Sequence, residues 1–448
     1  MKAQFSDETN PHSDYPFFTR FRGSIQSLPA EGGGSKGLDR QEHKKGCQGR
    51  IPLERRELWG VTALCLAIFF TDAAHSSTIP TFPFYSIGLG ASVALIGLLA
   101  SASGVSTMLM SIPLGFVSDR IGRKKVMLLG VACFIVGPII YSFSTEPLHL
   151  FPAQIILGVA KASTFSIGFV YISELAPLDR RSFAQGLYLT SMGMGFTLGP
   201  LVGGLSAKAW GYAASFYLSS GFAVCALVLV LLLPGMREER AGAPPRGGAF
   251  EGFWDVLGNR RLVAAGAANF FNSLLYSATM VYFPLYGREV GLDESQVGAS
   301  LTVRGMVSTA TRFPTGLAAM RVGALRLMAL GLGISALTIM ALPSFESLIL
   351  ISAILGVQGI AYGIYLTSGN VYVIEEAPEG MKGAALGVYS TFSNISGVIS
   401  PVLLGAISTR WNLRASFRVA AALALIGLAS TALYLRREAP SLEPLKTP

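Results

Sequence analysis

"GFVSDRIGRKKV" occupies Gly115 to Val126. A glycine precedes an Asp-Arg pair, a second glycine follows, and a run of basic residues ends the charged stretch. Apolar sequence lies on both sides of it, with residues 127–143 the clearest example. Charge concentrated between two apolar runs is typical of a short aqueous loop that joins two membrane-spanning helices.

The composition of the whole chain indicates a membrane protein. Its 448 residues are 51% hydrophobic and only 14% charged, and the mean hydropathy is +0.51. Apolar runs of about 20 residues recur, each long enough to cross roughly 30 Å of hydrocarbon at about 1.5 Å per residue. The sequence therefore predicts an all-α membrane protein with twelve spans, at 58–86, 92–116, 126–143, 149–172, 184–207, 213–234, 262–287, 294–318, 326–343, 347–372, 383–408 and 415–435. Short linkers make neighbouring spans antiparallel.

The positions of Lys and Arg predict the orientation, because basic loops stay on the cytoplasmic side. With the N-terminus inside, the outer loops contain little beyond Lys208, Arg288, Arg410 and Arg414. We therefore expect an integral protein of the cell (inner) membrane, embedded in the lipid bilayer, with both termini in the cytoplasm. The same asymmetry accounts for the net charge of +9 without a nucleic-acid partner.

An internal repeat divides the chain into halves. A shift of 201 positions aligns Gly90 with Gly291, Gly122 with Gly323 and Pro200 with Pro401, among many pairs. The repeat predicts two six-helix bundles related by pseudo-twofold symmetry. We expect a disordered cytoplasmic tail at 1–50, bundles at 51–234 and 261–437, a cytoplasmic linker at 235–260 and a cytoplasmic tail at 438–448. Two such halves can hold a substrate site near the midplane and expose it to each side in turn by rocking.

The quoted stretch resembles the signature of the major facilitator superfamily in the loop between helices 2 and 3, and it lies in that position here. The resemblance implies the major facilitator fold. Asp119 can accept hydrogen bonds from a helix N-terminus or pair with Arg123, and glycines there would let helices approach closely. We predict a conformational latch at the inner face, formed by Gly115, Asp119, Arg120, Gly122 and Arg123. The second copy has Met320 in place of the aspartate, so the latch is expected in the first half only.

The fifth span contains a glycine-proline pattern that resembles the antiporter motif of the 12-span drug/proton antiporter family. Its residues are Gly195, Gly199, Pro200, Gly203 and Gly204. A spacing of four places three of the glycines on one narrow stripe, where another helix can pack closely, and the proline is expected to bend the span. Stripes of small residues also occur in membrane helices without any bearing on transport direction. The pattern therefore favours efflux, with uptake as the alternative.

Charged residues inside spans are costly and are therefore functional candidates. Asp72 lies in the first span with His75 one turn away, and Lys161 lies in the fourth. The resemblance implies that helices 1, 4, 7 and 10 line the central cavity, which would bring Asp72 and Lys161 within reach of each other. We predict that Asp72, Lys161 and His75 couple transport to protons; a structural ion pair and a packing imidazole are the alternatives. The family's exporters usually have arginine at the position of Gln154, and the charge at Lys161 would replace it.

Other polar residues on the expected cavity helices are predicted to face the substrate. Arg304 lies nearer the midplane of the eighth span than Arg312 and is the better ligand candidate. A polar stripe in the seventh span and two residues in the tenth complete the predicted substrate cavity: Gln154, Asn269, Asn272, Tyr276, Arg304, Gln358 and Asn370. Polar stripes that only join helices are the alternative.

The chain has no phosphate loop, no Ser-His-Asp pattern and no metal-ligand spacing, so we predict no enzyme activity, no cofactor and no metal. The four cysteines have no paired spacing and are expected to be free thiols. The sequence predicts a monomeric secondary transporter that exports small amphiphilic or drug-like molecules in exchange for protons by alternating access. The alternatives are uptake, or export of a specific anionic solute or lysolipid, and a non-transporting receptor or scramblase.

Overall fold

The computed structural model describes residues 55–177, 180–233, 256–378 and 381–437. The expected tails at 1–50 and 438–448 lie outside these residues, as do positions 235–255 of the expected linker. Within the described ranges all regular secondary structure is helical, as the sequence predicted.

Twelve long helices occupy the described residues. In the first half, α1 is Arg55–Ser77 continued by Thr81–Gly88, α2 is Val93–Ile121, α3 is Arg123–Phe143, α4 is Leu150–Lys161 continued through Ala162–Ser166 to Ile167–Leu175, α5 is Arg181–Trp210 and α6 is Tyr212–Leu232. In the second half, α7 is Arg260–Ser277 continued through Ala278–Tyr282 to Phe283–Glu289, α8 is Glu294–Val322, α9 is Ala324–Ala341, α10 is Leu348–Glu376, α11 is Lys382–Arg410 and α12 is Leu413–Arg437.

Nine of these helices are long and apolar enough to cross a membrane, counted over the residues described above. The remaining three, α5, α7 and α8, are more polar, and they carry the glycine-proline pattern, the Asn269 stripe and the arginines Arg304 and Arg312. Polar character is therefore concentrated on helices that the sequence had already linked to transport.

The charged stretch that opened the sequence analysis is almost entirely helical, contrary to the loop that we expected. Helix α2 continues to Ile121, α3 begins at Arg123, and Gly122 alone separates them with φ 96°. Glycine adopts this left-handed region without a steric penalty, so one residue suffices to end one helix and start the next. Gly323 repeats the arrangement between α8 and α9 with φ 94°.

Helix pairing repeats from one half to the other. In the first half the main contacts are α1 with α5 and α6, α2 with α4, α3 with α4 and α6. In the second half they are α7 with α11 and α12, α8 with α10, α9 with α10 and α12, so adding six to each label converts one set into the other. The halves meet through α2 against α11 and α5 against α8, which is also symmetric.

The closest contacts between the two halves lie towards one end of these four helices. We call the end that contains Arg120 to Lys125 the basic face and the other end the opposite face. Near the opposite face Gly298 lies against the Pro200 carbonyl with no room for a side chain, and the Thr302 hydroxyl donates to the Thr197 carbonyl at 2.9 Å.

Near the basic face the matching glycines have open space around them. A β carbon at Gly115, Gly186, Gly316 or Gly387, one on each of the four interface helices, would meet no atom within 4 Å. The described part of the protein is therefore closed at the opposite face and open at the basic face.

We predict that Gly298→Val forces the opposite face apart. The neighbouring Pro200 oxygen belongs to the backbone and cannot rotate away, so α5 and α8 must separate to fit a valine. A cysteine at Val281, on the cavity wall, should then react faster with a membrane-impermeant maleimide added at the opposite face, in a background with the native cysteines replaced by serine.

Gly316→Val is the matched control, because it makes the same change on α8 where no neighbour lies within 4 Å. Equal labelling rates in the two variants and the parent would show that this contact does not hold the face closed.

Candidate functional site

A cavity of about 300 Å³ lies between the two halves, with walls from α1, α2, α3, α4, α7 and α11. Much of the wall is apolar or aromatic, including Phe82, Leu157 and Met280. Among its described lining residues the charged or ionisable groups other than tyrosine are His75 and Lys161, and none is Asp or Glu. The cavity therefore combines an apolar body with a basic side.

The basic side is built on α1 and α4. Lys161 ends the first segment of α4, directly before a π-helical turn at Ala162–Ser166, and Gln154 lies two turns earlier on the same wall. The His75 ring lies 6.0 Å from the Phe134 ring and 6.2 Å from the Phe165 ring. Within the described chain Lys161 makes no hydrogen bond or ion pair, so its charge is available to a ligand.

Asp72 lies away from this wall, on the side of α1 that packs against α5. Gly195 and Gly199 of α5 contact the α1 backbone at Phe69 and Ala73, three residues before and one residue after Asp72. The Asp72 side chain is buried. Because residues three apart differ by about 60° around a helix, His75 faces the cavity whereas Asp72 is turned towards α5.

The expected approach of Asp72 to Lys161 does not occur in this conformation. The basic group that acts electrostatically on Asp72 is Arg312 of α8, whereas Lys161 acts on His75. No ion pair within 4.0 Å joins Asp72 to a basic group of the described residues. Asp72 thus has no ion-pair partner in this conformation, and the basic group that acts on it electrostatically belongs to the other half of the protein.

Arg312 reaches α5 at a position without a side chain. Its Nη1 atom lies 3.4 Å from where a β carbon of Gly193 would be, and its buried Nε has no hydrogen-bond partner among the described groups. From the sequence alone Arg304 was the better ligand candidate, and no role was predicted for Arg312. The available signal was their spacing, because eight residues turn a helix by about 80° and give the two arginines different neighbours.

Arg304 is only 1% exposed and is held by three polar or aromatic side chains. Its Nε donates to the Gln358 carbonyl oxygen, and the Gln358 amide donates to the Ser335 hydroxyl at 3.1 Å. The guanidinium carbon lies 4.6 Å from the Tyr362 ring centre and 5.7 Å from that of Tyr276. Cation–π contacts contribute about 0.5–2 kcal/mol, whereas burying an ion costs several kcal/mol, so these contacts alone do not balance the charge.

The predicted cavity residues thus separate into groups. Gln154 and Tyr276 lie on the cavity wall. Arg304 and Gln358 lie together behind Tyr276 and are absent from the wall.

The three asparagines are also absent from the wall. Asn269 donates to the Tyr389 carbonyl at 3.0 Å and so joins α7 to α11. This matches the alternative that the polar stripe joins helices and does not face the substrate. Asn272 is buried with an Oδ1 that lacks a partner among the described groups, and Asn370 is exposed on α10.

Two of the predicted latch residues, Asp119 and Arg123, belong to an ion-pair cluster within the first half. Arg123 lies between Asp119 at 2.5 Å and Glu174 at 3.2 Å. The sequence analysis did not place Glu174 here, because it lies on α4, 51 residues along the chain. Gly115 lies in open space and Gly122 serves as the helix break, so the expected close approach of helices at these glycines does not occur in the open state.

Polar contacts join the two halves at the opposite face. Lys208 pairs with Asp293 at 2.9 Å, the Tyr212 hydroxyl donates to Glu294 at 2.5 Å, and Arg288 donates to the Phe84 carbonyl at 3.0 Å. Asp293 also accepts the backbone N–H of Gln296 at 2.9 Å and so caps α8. These side-chain interactions supplement the backbone contact between Gly298 and Pro200 at the same face.

We predict that the contribution of the Lys208–Asp293 pair to closure of the opposite face does not depend on pH between 5 and 8. Burial opposes ionisation of Asp293, but hydrogen bonds from Lys208, Ser295 and Gln296 outweigh it and lower its pKa to about 2. The stabilisation is complete above the ordinary pKa of about 3.9 and is lost only as the pH falls through about 2. We therefore expect the ratio of labelling rates between Lys208→Met and the parent, at the cysteine in position 281, to be equal at pH 5 and pH 8; the ratio removes the pH dependence of the thiol itself.

Lys208→Met should raise that labelling modestly and by the same factor at both pH values, since the lysine is largely exposed and such pairs contribute about 0–1 kcal/mol. Parent labelling that changes with pH, and loses this change in Lys208→Met, would contradict the assignment.

Comparison with known proteins places this arrangement in a known family. The Major Facilitator Superfamily model matches the sequence twice, over residues 64–268 and 265–447. An uncharacterised MFS-type transporter of Methanocaldococcus jannaschii is 23% identical over 252 residues, an alignment that spans 55% of this chain and 65% of the relative.

Two further proteins are similar along most of their length. The multidrug resistance protein MdtG of Klebsiella pneumoniae is 23% identical over 398 residues, covering 85% of this chain and 94% of the relative. A solved structure of a bacterial homologue of the human lysosomal transporter Spinster superposes with a TM-score of 0.74 at 16% identity, covering 87% of this chain and 98% of that one. At that identity the likeness is one of fold.

Proposed function

Because this chain belongs to the Major Facilitator Superfamily and is an integral membrane transporter, we propose that it exports small amphiphilic or drug-like molecules in exchange for protons by alternating access. The observation that carries the proposal is the cavity between the halves, which is closed at one face while the basic face is open. With the basic face in the cytoplasm, this conformation loads substrate from the inside. Relatives named as multidrug resistance proteins support export.

The proposed proton site is Asp72 with Arg312 as its electrostatic partner. An ionised carboxylate in the membrane interior is costly unless a cation lies close to it. The two residues belong to different halves, so rocking one half on the other changes their separation. Proton binding at Asp72 would then depend on which face is open, as proton-coupled transport requires.

His75 and Lys161 are proposed to bind substrate and not to carry the coupled proton. Both lie on the cavity wall, where they contact substrate directly and sense its charge. The glycine stripe of α5 packs directly against the α1 backbone beside Asp72. When α5 moves relative to α8, α1 should therefore move with α5, and the distance between Asp72 and Arg312 should change.

Transport in reconstituted proteoliposomes tests the proposal. We expect the parent to accumulate fluorescent amphiphiles against their gradient when a pH gradient is imposed. Asp72→Asn should abolish this uphill accumulation and keep downhill exchange, because the neutral amide mimics a permanently protonated carboxyl. Glu146→Gln makes the same change on an exposed loop residue and serves as the control.

Other outcomes would point to the alternatives. Uphill accumulation by Asp72→Asn equal to that of the parent would place the proton site elsewhere, with Glu174 or His75 next to test. Accumulation only in the inward direction would indicate uptake, and lipid mixing without a gradient would indicate a scramblase. Binding of a ligand with no movement of any solute would indicate a receptor.

A further inference from the structure

The charges near the middle of the described helices do not balance. Asp72 has Arg312 as its electrostatic partner. Lys161 and Arg304 lack an acidic partner within 4.0 Å among the described residues. A guanidinium stays protonated at any physiological pH, so Arg304 keeps a buried positive charge with no carboxylate within 4.0 Å among the described residues.

The Arg304 side chain is fixed in place, and its Nη2 nitrogen has no hydrogen-bond partner among the described groups. Gln358 holds its Nε, and the rings of Tyr276 and Tyr362 flank the guanidinium. The Nη2 atom is buried and has no hydrogen-bond partner in the described chain. A rigid, dry donor with an unbalanced charge fits an oxyanion, which accepts hydrogen bonds in the plane of the guanidinium.

Tyr276 connects this arginine to the cavity. Its ring lies on the cavity wall, stacks on the Tyr362 ring with centroids 5.7 Å apart, and contacts Arg304. Rotation of this ring would open Nη2 to the cavity. An apolar body lying against Phe82 and Met280 would then extend an acidic group past Tyr276 to the arginine.

We propose that the substrate is an amphiphile with one oxyanion, and that Arg304 of α8, behind Tyr276, binds this group. This inference rests on the proposed function, because it names the class of molecule that the central cavity takes. Arg304 is the specificity-determining residue, since its planar donors are held ready, whereas Lys161 adds a mobile positive charge to the same cavity. The oxyanion belongs to a free organic acid or to a lysolipid headgroup, which share this chemistry.

Binding to the purified full chain tests this without any gradient. Pyrenebutyrate and pyrenebutyramide have the same apolar body and differ in the carboxylate. We expect the parent to bind the carboxylate about tenfold more tightly, as one charge-assisted contact would give. Arg304→Gln should lower the ratio of the two affinities from about tenfold to about threefold, the remainder being the contribution of Lys161, and leave the affinity for the amide unchanged.

Two further variants keep the test decisive. Arg304→Lys retains the charge and should show an intermediate preference for the carboxylate. This variant replaces Arg304→Gln in the test if the glutamine variant is unstable. Arg321→Gln removes a charge from the exposed end of α8 and should keep the parent's preference. Competition identifies the source: displacement of pyrenebutyrate by lysophosphatidylglycerol supports a lipid headgroup, and displacement by octanoate alone supports a free acid.

The proposal is overturned if the parent binds both probes equally or binds neither, or if Arg304→Gln keeps the parent's full preference for the carboxylate. Failure of the proposed function looks different. Suppose that the protein prefers the carboxylate through Arg304 but moves no solute in proteoliposomes. The oxyanion site would then stand, and the proposed transport function would be wrong.

Discussion

Direct backbone contact along α5 determines how the other helices are placed. Gly195, Gly199 and Gly203 press against the backbone of α1, with no room for side chains. On another side of the same helix, the Pro200 carbonyl meets Gly298 of α8. One helix thus belongs to the tight packing of its own half and to the interface with the other half. Since membrane helices gain little from hydrophobic burial, such close approach is a main source of their association.

This constraint also explains where the charges can go. Where α5 lacks side chains, at Gly193, Arg312 of the second half can approach the α1–α5 pair that contains Asp72. His75, about 60° away on α1, faces the cavity together with Lys161 of α4. Basic groups in the interior therefore meet different surroundings: a carboxylate across the interface, the open cavity, and the aromatic site behind Tyr276.

Different interactions are available at the two faces. At the opposite face, glycine contacts are reinforced by the Lys208–Asp293 pair and the Tyr212–Glu294 hydrogen bond. At the basic face, large apolar side chains such as Phe116 and Phe313 are more than half exposed. The ion pairs of Arg123 stay within the first half there. Closing the basic face would exchange specific polar contacts at one end for burial of apolar surface at the other.

The sequence by itself determined the spans, the repeat and the stripe of small residues, because each depends on local composition or on spacing along one helix. Apolar length fixed the twelve helices to within a few residues, and a spacing of four placed the α5 glycines on the face that packs on α1. Only the tertiary structure decided which charges meet. Asp72 faces α5 and forms no ion pair with Lys161, and Arg304 lies behind Tyr276 and not on the wall. These outcomes depend on how each helix is rotated about its axis against neighbours that are distant along the chain. That rotation is the sum of many weak contacts that no local pattern records.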